Sequence, residues 1–158
     1  MNIFDIIRVL CQQSPKSYAL INGPTVTGTM LAYPFEEGTI LVVEAQGLPA
    51  TGCRLGVHGM HIHEGASCSG SANQPFAGAG GHFSTNSCKH PYHTGDLPPL
   101  FSNTEGVAWM AVFIDKFTPE GIVGHTIVIH ASPDDFTTQP SGNSGEIIAC
   151  GAIKELYR

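Results

Sequence analysis

The chain has 158 residues, of which 42% are hydrophobic and only 13% charged, with a formal net charge of −6. That size fits one ordinary domain able to bury a core without staples. Lys and Arg together number 7, which argues against a nucleic-acid partner or an anionic membrane surface, and no apolar run is long enough to span a bilayer.

Nineteen glycines and eleven prolines favour many short strands and turns over long helices. Residues 1–13 place Ile3, Ile6, Ile7 and Leu10 at helical spacing, which predicts a short amphipathic helix ended by Ser14-Pro15 and serving as a packing or dimer-contact extension. This segment contains an acidic residue and lacks both a basic n-region and a small-residue cleavage site, so it does not read as a secretory signal. Cytoplasm is therefore favoured unless a leader has been removed, although the five cysteines lean toward an oxidising compartment. Compartment stays open.

From Tyr18 onward the pattern is one of strands. Runs at 17–21, 25–33, 39–45, 56–63, 106–115, 124–130 and 146–154 are separated by Gly, Pro, Asn and Asp signals. Along 56–63, Val57, Gly59, His61 and His63 share one face, with His58, Met60 and Ile62 on the other. Residues 64–100 and 132–145 read as loops. The first is longer than a compact domain normally leaves unstructured, so it is expected to be functional or held by metal or disulfide bonds. Seven or eight strands of this kind predict an all-β antiparallel sandwich or barrel. No internal repeat or second domain is evident.

Six of the 8 histidines form one series between Met60 and Ala131, in the order His61-Ile-His63, His82, His90-Pro-Tyr-His93-Thr-Gly-Asp96 and His130. Imidazole is the commonest side-chain ligand for zinc and copper, and zinc also accepts carboxylate. In a strand, i and i+2 side chains leave the same face, so His61 and His63 can reach one ion from a rigid base. His130 ends another strand and joins them if that strand is adjacent. His90, His93 and Asp96 lie three apart in a turn region and suit a second ion. His82 lies between the groups, able to serve either or to bridge them. His58 and His125 fall outside the series and read as hydrogen-bonded structural histidines.

Gly59-Met60-His61-Ile62-His63-Glu64, Gly80-Gly81-His82-Phe83, His93-Thr94-Gly95-Asp96-Leu97-Pro98, Ile127-Val128-Ile129-His130 and Ala149-Cys150-Gly151-Ala152-Ile153 resemble the Cu/Zn superoxide dismutase family, particularly its bacterial branch, over about residues 17–155. The resemblance implies an eight-stranded Greek-key β-barrel with a long metal-binding loop. Residues 1–16 would be a helical extension and 17–158 the dismutase-like domain. It implies copper held by His61, His63, His82 and His130, and zinc held by His82, His90, His93 and Asp96, with His82 bridging. Asp134 falls where the family links the two sites by hydrogen bonds. Cys68 and Cys150 match the family disulfide. The implied substrate is the superoxide anion, converted to O₂ and H₂O₂ by copper redox cycling. Homodimerisation is left open.

The chain departs from that pattern in several places. Where the family has an arginine beside copper, three residues before the last-strand cysteine, this chain has Ile147, preceded by Glu146. The segment from Asp134 to Cys150 is short and carries neither Lys nor Arg, whereas the family has a charged guiding loop there. A weakened electrostatic guidance is the expectation, with Lys89 or Arg54 as substitute cations. The alternative is a non-catalytic dismutase-like protein that binds or stores copper and zinc; a weaker one keeps zinc only, for stability. The His90–His93 spacing is also compressed. Cys53 and Cys88 are candidates for a second pair, and Cys11 for a buried or intermolecular thiol.

Overall fold

The computed structural model describes residues 2–49 and 56–157. Its chain order is helix α1 (Ile3–Gln12), then strands β1 (Ser17–Asn22), β2 (Thr27–Phe35), β3 (Gly38–Gln46), β4 (Gly56–His58), β5 (Met60–His63), β6 (Leu100–Ser102), β7 (Ala108–Ile114), β8 (Thr126–His130), β9 (Ile147–Ala152) and β10 (Lys154–Glu155). All pairings are antiparallel, in the order β4-β6-β7-β3-β2-β1-β9-β8-β5, with β10 also beside β1. The two ends of that path, β4 and β5, are separated in the chain by Gly59 alone. The Gly59 carbonyl accepts from His130 N–H at 2.9 Å, and its own N–H donates to Ser132 O. The sheet thus returns on itself as a nearly closed barrel. Counting β4/β5 and β9/β10 as two interrupted strands gives the eight expected of a Greek-key barrel.

Strand alternation fills the barrel. Ala19, Ile21, Met30, Ala32, Leu41, Val43, Ile62, Ile127, Ile129 and Ala149 point inward and are fully or almost fully buried. The long β2–β3 hairpin pairs Thr27 with Gln46 through to Phe35 with Gly38. Its outward residues are not all wet, because α1 covers some of them. Val9 packs with Tyr33 and Ile40, joined by Ile6, Leu10, Leu31, Phe35, Val42 and Phe113.

The helix forms where the apolar spacing predicted it, with Asn2 as N-cap accepting from the N–H groups of Phe4 and Asp5. Its buried face is rotated from the expected one. Ile6, Val9 and Leu10 meet the sheet, while Ile3 and Ile7 are 67% and 50% exposed. Apolar residues at 3, 4, 6, 7, 9 and 10 leave the stripe direction undetermined by periodicity, and the sheet selects it. Strand β6 was not anticipated, being three residues directly after Pro98-Pro99. Among the described residues no helix is long and apolar enough to cross a membrane.

A disulfide joins Cys68 in the long loop to Cys150 in β9, with Cα atoms 5.7 Å apart and a separation of 82 residues. Val128, Ala79, Phe76 and Ile147 pack around it. Cys11 is exposed, so the buried-thiol expectation does not hold. Cys88 is exposed and unpaired among the described residues. Cys53 and Arg54 lie outside the described residues, so neither the proposed Cys53–Cys88 pair nor the Arg54 substitution can be placed.

Candidate metal centre

Strand β5 ends the sheet path, and the long loop covers its free edge. Ile62 N–H donates to Gly95 O and Ile62 O accepts from Phe83 N–H, both at 2.9 Å, while Glu64 N–H donates to Gly81 O at 2.8 Å. An edge strand left open would present unpaired peptide groups, so the loop's docking is dictated by backbone hydrogen bonding. The same docking brings His82 beside His63 and Asp96 beside His61. Met60 and Ile62 point into the core while His61 and His63 point to the other face, as the period of two requires. Strand β8 pairs with β5, Met60 opposite Ile129, and so delivers His130 to the same place.

Two groups of ligand atoms result. In His61, His63, His82 and His130, and again in His82, His90, His93 and Asp96, the atoms lie within 4.8 Å of one another. His82 belongs to both. Its ring centroid is 4.0 Å from His61, 5.0 Å from His63, 5.5 Å from His90 and 5.6 Å from His93.

The fit to metal ions can be tested on the nitrogens. His61 Nδ1, His63 Nε2, His82 Nε2 and His130 Nε2 are buried without a hydrogen-bond partner, and so are His90 Nδ1 and His93 Nδ1. Buried polar atoms are nearly always partnered, so six orphans converging in two clusters call for another ligand. Around Asp96, His82 Nδ1 is 2.6 Å from Oδ1, and His90 Nδ1 and His93 Nδ1 are 3.2 and 3.1 Å from Oδ2. Lone pairs gathered this closely suit a shared cation. Four imidazoles suit copper, and three imidazoles with a carboxylate suit zinc.

The opposite nitrogens are fixed by the protein. His63 Nδ1–H donates to Gly80 O at 2.7 Å and His130 Nδ1–H to Gly145 O at 3.0 Å. His61 Nε2–H donates to Asp134 Oδ2 at 2.8 Å, and His90 Nε2–H to Asp134 Oδ1 at 2.9 Å. Asp134 therefore links one histidine of each group and sets both ring orientations. Burial, then the neighbouring His82, pushes His61 and His63 down to about 3, and burial lowers His130 as well. Neutral imidazoles with free lone pairs are the form a metal needs. Burial alone would raise Asp96 and Asp134. Hydrogen bonds from His82 and His93 N–H to Asp96, and from His61, Phe136 N–H and His90 to Asp134, hold both below the usual carboxylate range.

Residues 26–153 match the copper/zinc superoxide dismutase family. The chain belongs to that family. The superoxide dismutase [Cu-Zn] of Deinococcus radiodurans is 34% identical over 148 residues, covering 83% of this chain and 79% of that protein. The superoxide dismutase [Cu-Zn] of Francisella tularensis is 33% identical, covering 85% and 77%. Among solved structures, the crystal structure of the clock protein EA4 superposes with a TM-score of 0.74 at 25% identity, over 91% of this chain and 97% of that one.

The remaining histidines are accounted for separately. His58 Nδ1–H donates to His130 O at 2.9 Å, and His125 donates to Glu64 O at 3.0 Å while stacking on Phe83. Ile147 lies opposite His130 in the β8–β9 ladder, half-buried against the disulfide cluster. Lys89 is exposed and has no ion pair among the described residues. The sequence reading passed over two side chains that touch the site. Lys116 and Gln139 bond to the backbone of His90, His93 and Asp96 from 20 to 49 residues away, so no local spacing signals them.

Proposed function

We propose that this chain disproportionates superoxide at a copper site formed by His61, His63, His82 and His130. A zinc site formed by His82, His90, His93 and Asp96 stands beside it. The observation that carries the reading is the convergence of six orphaned imidazole nitrogens on two points that share His82. Family membership, with curated relatives that are superoxide dismutases [Cu-Zn], gives the activity class and the two cofactors. Residues 17–158 would form the catalytic domain, with 1–16 as an extension.

Bound copper supplies the one-electron couple by which one superoxide is oxidised to O₂ and a second, with two protons, is reduced to H₂O₂. The protein's part is to orient and to handle protons. His63 and His130 are locked by backbone carbonyls and present Nε2 to the ion. His82 faces the copper group with Nε2 and the zinc group with Nδ1, so it is the ring placed to hold and release a proton at Nε2. Asp134 keeps His61 and His90 in register, tying the geometry of one site to the other.

Guidance of the anion is weakened in this reading. Ile147 offers neither charge nor hydrogen-bond donors, and the chain's net charge of −6 does not draw an anion inward. The same observations support a second reading, a dismutase-like protein that binds or stores copper and zinc without turnover. The two readings separate on turnover. Protein loaded with copper and zinc should remove superoxide and zinc-only protein should not; equal, background-level decay in both would favour storage.

A further inference from the structure

The residues that would hold zinc, other than His82, sit in a short irregular segment with little hydrogen bonding of its own. Within 89–96, Tyr92 N–H donates to Lys89 O at 2.8 Å, Asp96 N–H to His93 O at 3.3 Å and His93 N–H to Asp96 Oδ2 at 2.9 Å. The segment is held from outside. Lys116, two residues past the end of β7, donates from Nζ to His93 O and to Asp96 O, each at 3.1 Å. Gln139, in the loop between β8 and β9, donates from Nε2 to His90 O at 2.7 Å and accepts His90 N–H on Oε1 at 3.1 Å. His90 itself is buried, so its peptide groups are completed by this one amide, as a neighbouring strand would complete them.

We propose that Lys116 and Gln139 are positioning residues for zinc. They fix the backbone of His90, His93 and Asp96 before the ion arrives, and so set the site's affinity and coordination geometry. This rests on the reading that those residues ligate zinc. The chemistry fits the task. An ammonium has three donors, so one Lys116 can span the His93 and Asp96 carbonyls together. A primary amide can serve one residue's N–H and C=O together. Gln139 also sits five residues from Asp134, in the loop whose Gly142 packs against the Asp134 carboxylate. The zinc segment is thereby tied to the element that orients His61. The compressed His90–His93 spacing is then workable, because the geometry of a short loop is imposed by two distant anchors.

The test uses the full chain, copper-loaded, with zinc affinity measured by chelator competition and site geometry read from the visible spectrum of Co²⁺ in place of zinc. Lys116→Met and Gln139→Ala are expected to weaken zinc binding by about 10–100-fold and to change the Co²⁺ spectrum. Lys116→Arg, which keeps the donors, should restore most of the loss. Wild-type affinity and spectrum in both variants would overturn the proposal. So would a loss of affinity that merely follows a drop in apoprotein Tm, with the spectrum unchanged. His90→Ala separates the two levels: if it binds zinc normally, the ligand assignment itself fails. Should Gln139→Ala not fold, Gln139→Met, which keeps the side chain's length without its donor or acceptor, carries the same expectation.

Discussion

Ile147 lies directly across the β8–β9 ladder from His130, at the step where the register between the strands shifts. A residue there is fixed by backbone pairing beside the end of the strand that delivers His130 to the histidine cluster. Its apolar side chain joins Phe76 and Cys68 around the disulfide and carries no charge. We expect Ile147→Arg to raise the rate of superoxide removal roughly tenfold at low ionic strength and to make it fall as salt rises. Stopped-flow or pulse-radiolysis rates over a salt series check this. An unchanged rate would mean that position 147 does not govern approach.

Gly142 is required by close packing. With φ at +67°, it lets the loop pass so near that a Cβ would meet Asp134 Oδ1 at 1.9 Å and His90 Nε2 at 2.7 Å. Gly142→Ala should therefore displace the carboxylate that links His61 and His90, costing about 2–4 kcal/mol of stability. Lowered Tm together with reduced copper and zinc content is the expected result. Full metal content at wild-type Tm would show the loop to be more yielding than its packing indicates.

The disulfide closes a loop of 82 residues and anchors the loop that carries His82, His90 and His93 to β9. Replacing both Cys68 and Cys150 by Ser should cost about 2–4 kcal/mol, largely by freeing the unfolded chain. Denaturant unfolding of the metal-free double variant against the metal-free parent measures it. The same variant should lose metal faster, because the loop carrying His82 loses a tether.

Acidification should destabilise the metal-free protein, and the sign follows from burial. His61 and His63 stay neutral in the folded state down to about 3, whereas in the unfolded chain they take up protons near the ordinary imidazole value of about 6.5. Between those values the unfolded state binds more protons, so stability falls as pH drops below about 6.5, by about 2 kcal/mol per histidine by pH 5. Asp96 and Asp134, held low by their hydrogen bonds, add stability that is lost only at still lower pH. Calorimetric Tm from pH 7.5 to 5 tests this, and His63→Asn should flatten the dependence. A Tm that rises on acidification would contradict it.

How much of this could be read in the chain depends on whether the relevant geometry is local. His61 and His63 share a strand face and His90, His93 and Asp96 share a turn, so spacing alone grouped them. His82 could not be assigned from order, since only the docking of its loop on the open edge of β5 gives it both groups as neighbours. Long alternating strands were legible, but β6 was not, because three residues after two prolines carry no period. The helix was legible as a helix, yet its buried face was not, because apolar residues surround much of it. Lys116 and Gln139 were invisible for a different reason: their partners are backbone atoms far away in the chain.

Superoxide decay after pulse radiolysis, on protein reconstituted with one copper and one zinc per chain, tests the central claim most directly. Decay should be copper-dependent. Its rate should change less than about twofold as ionic strength rises from about 0.01 to 0.15 M, over which the screening length shrinks from about 30 to 8 Å. Decay no faster than in the metal-free protein would contradict the assignment of this chain as a working dismutase.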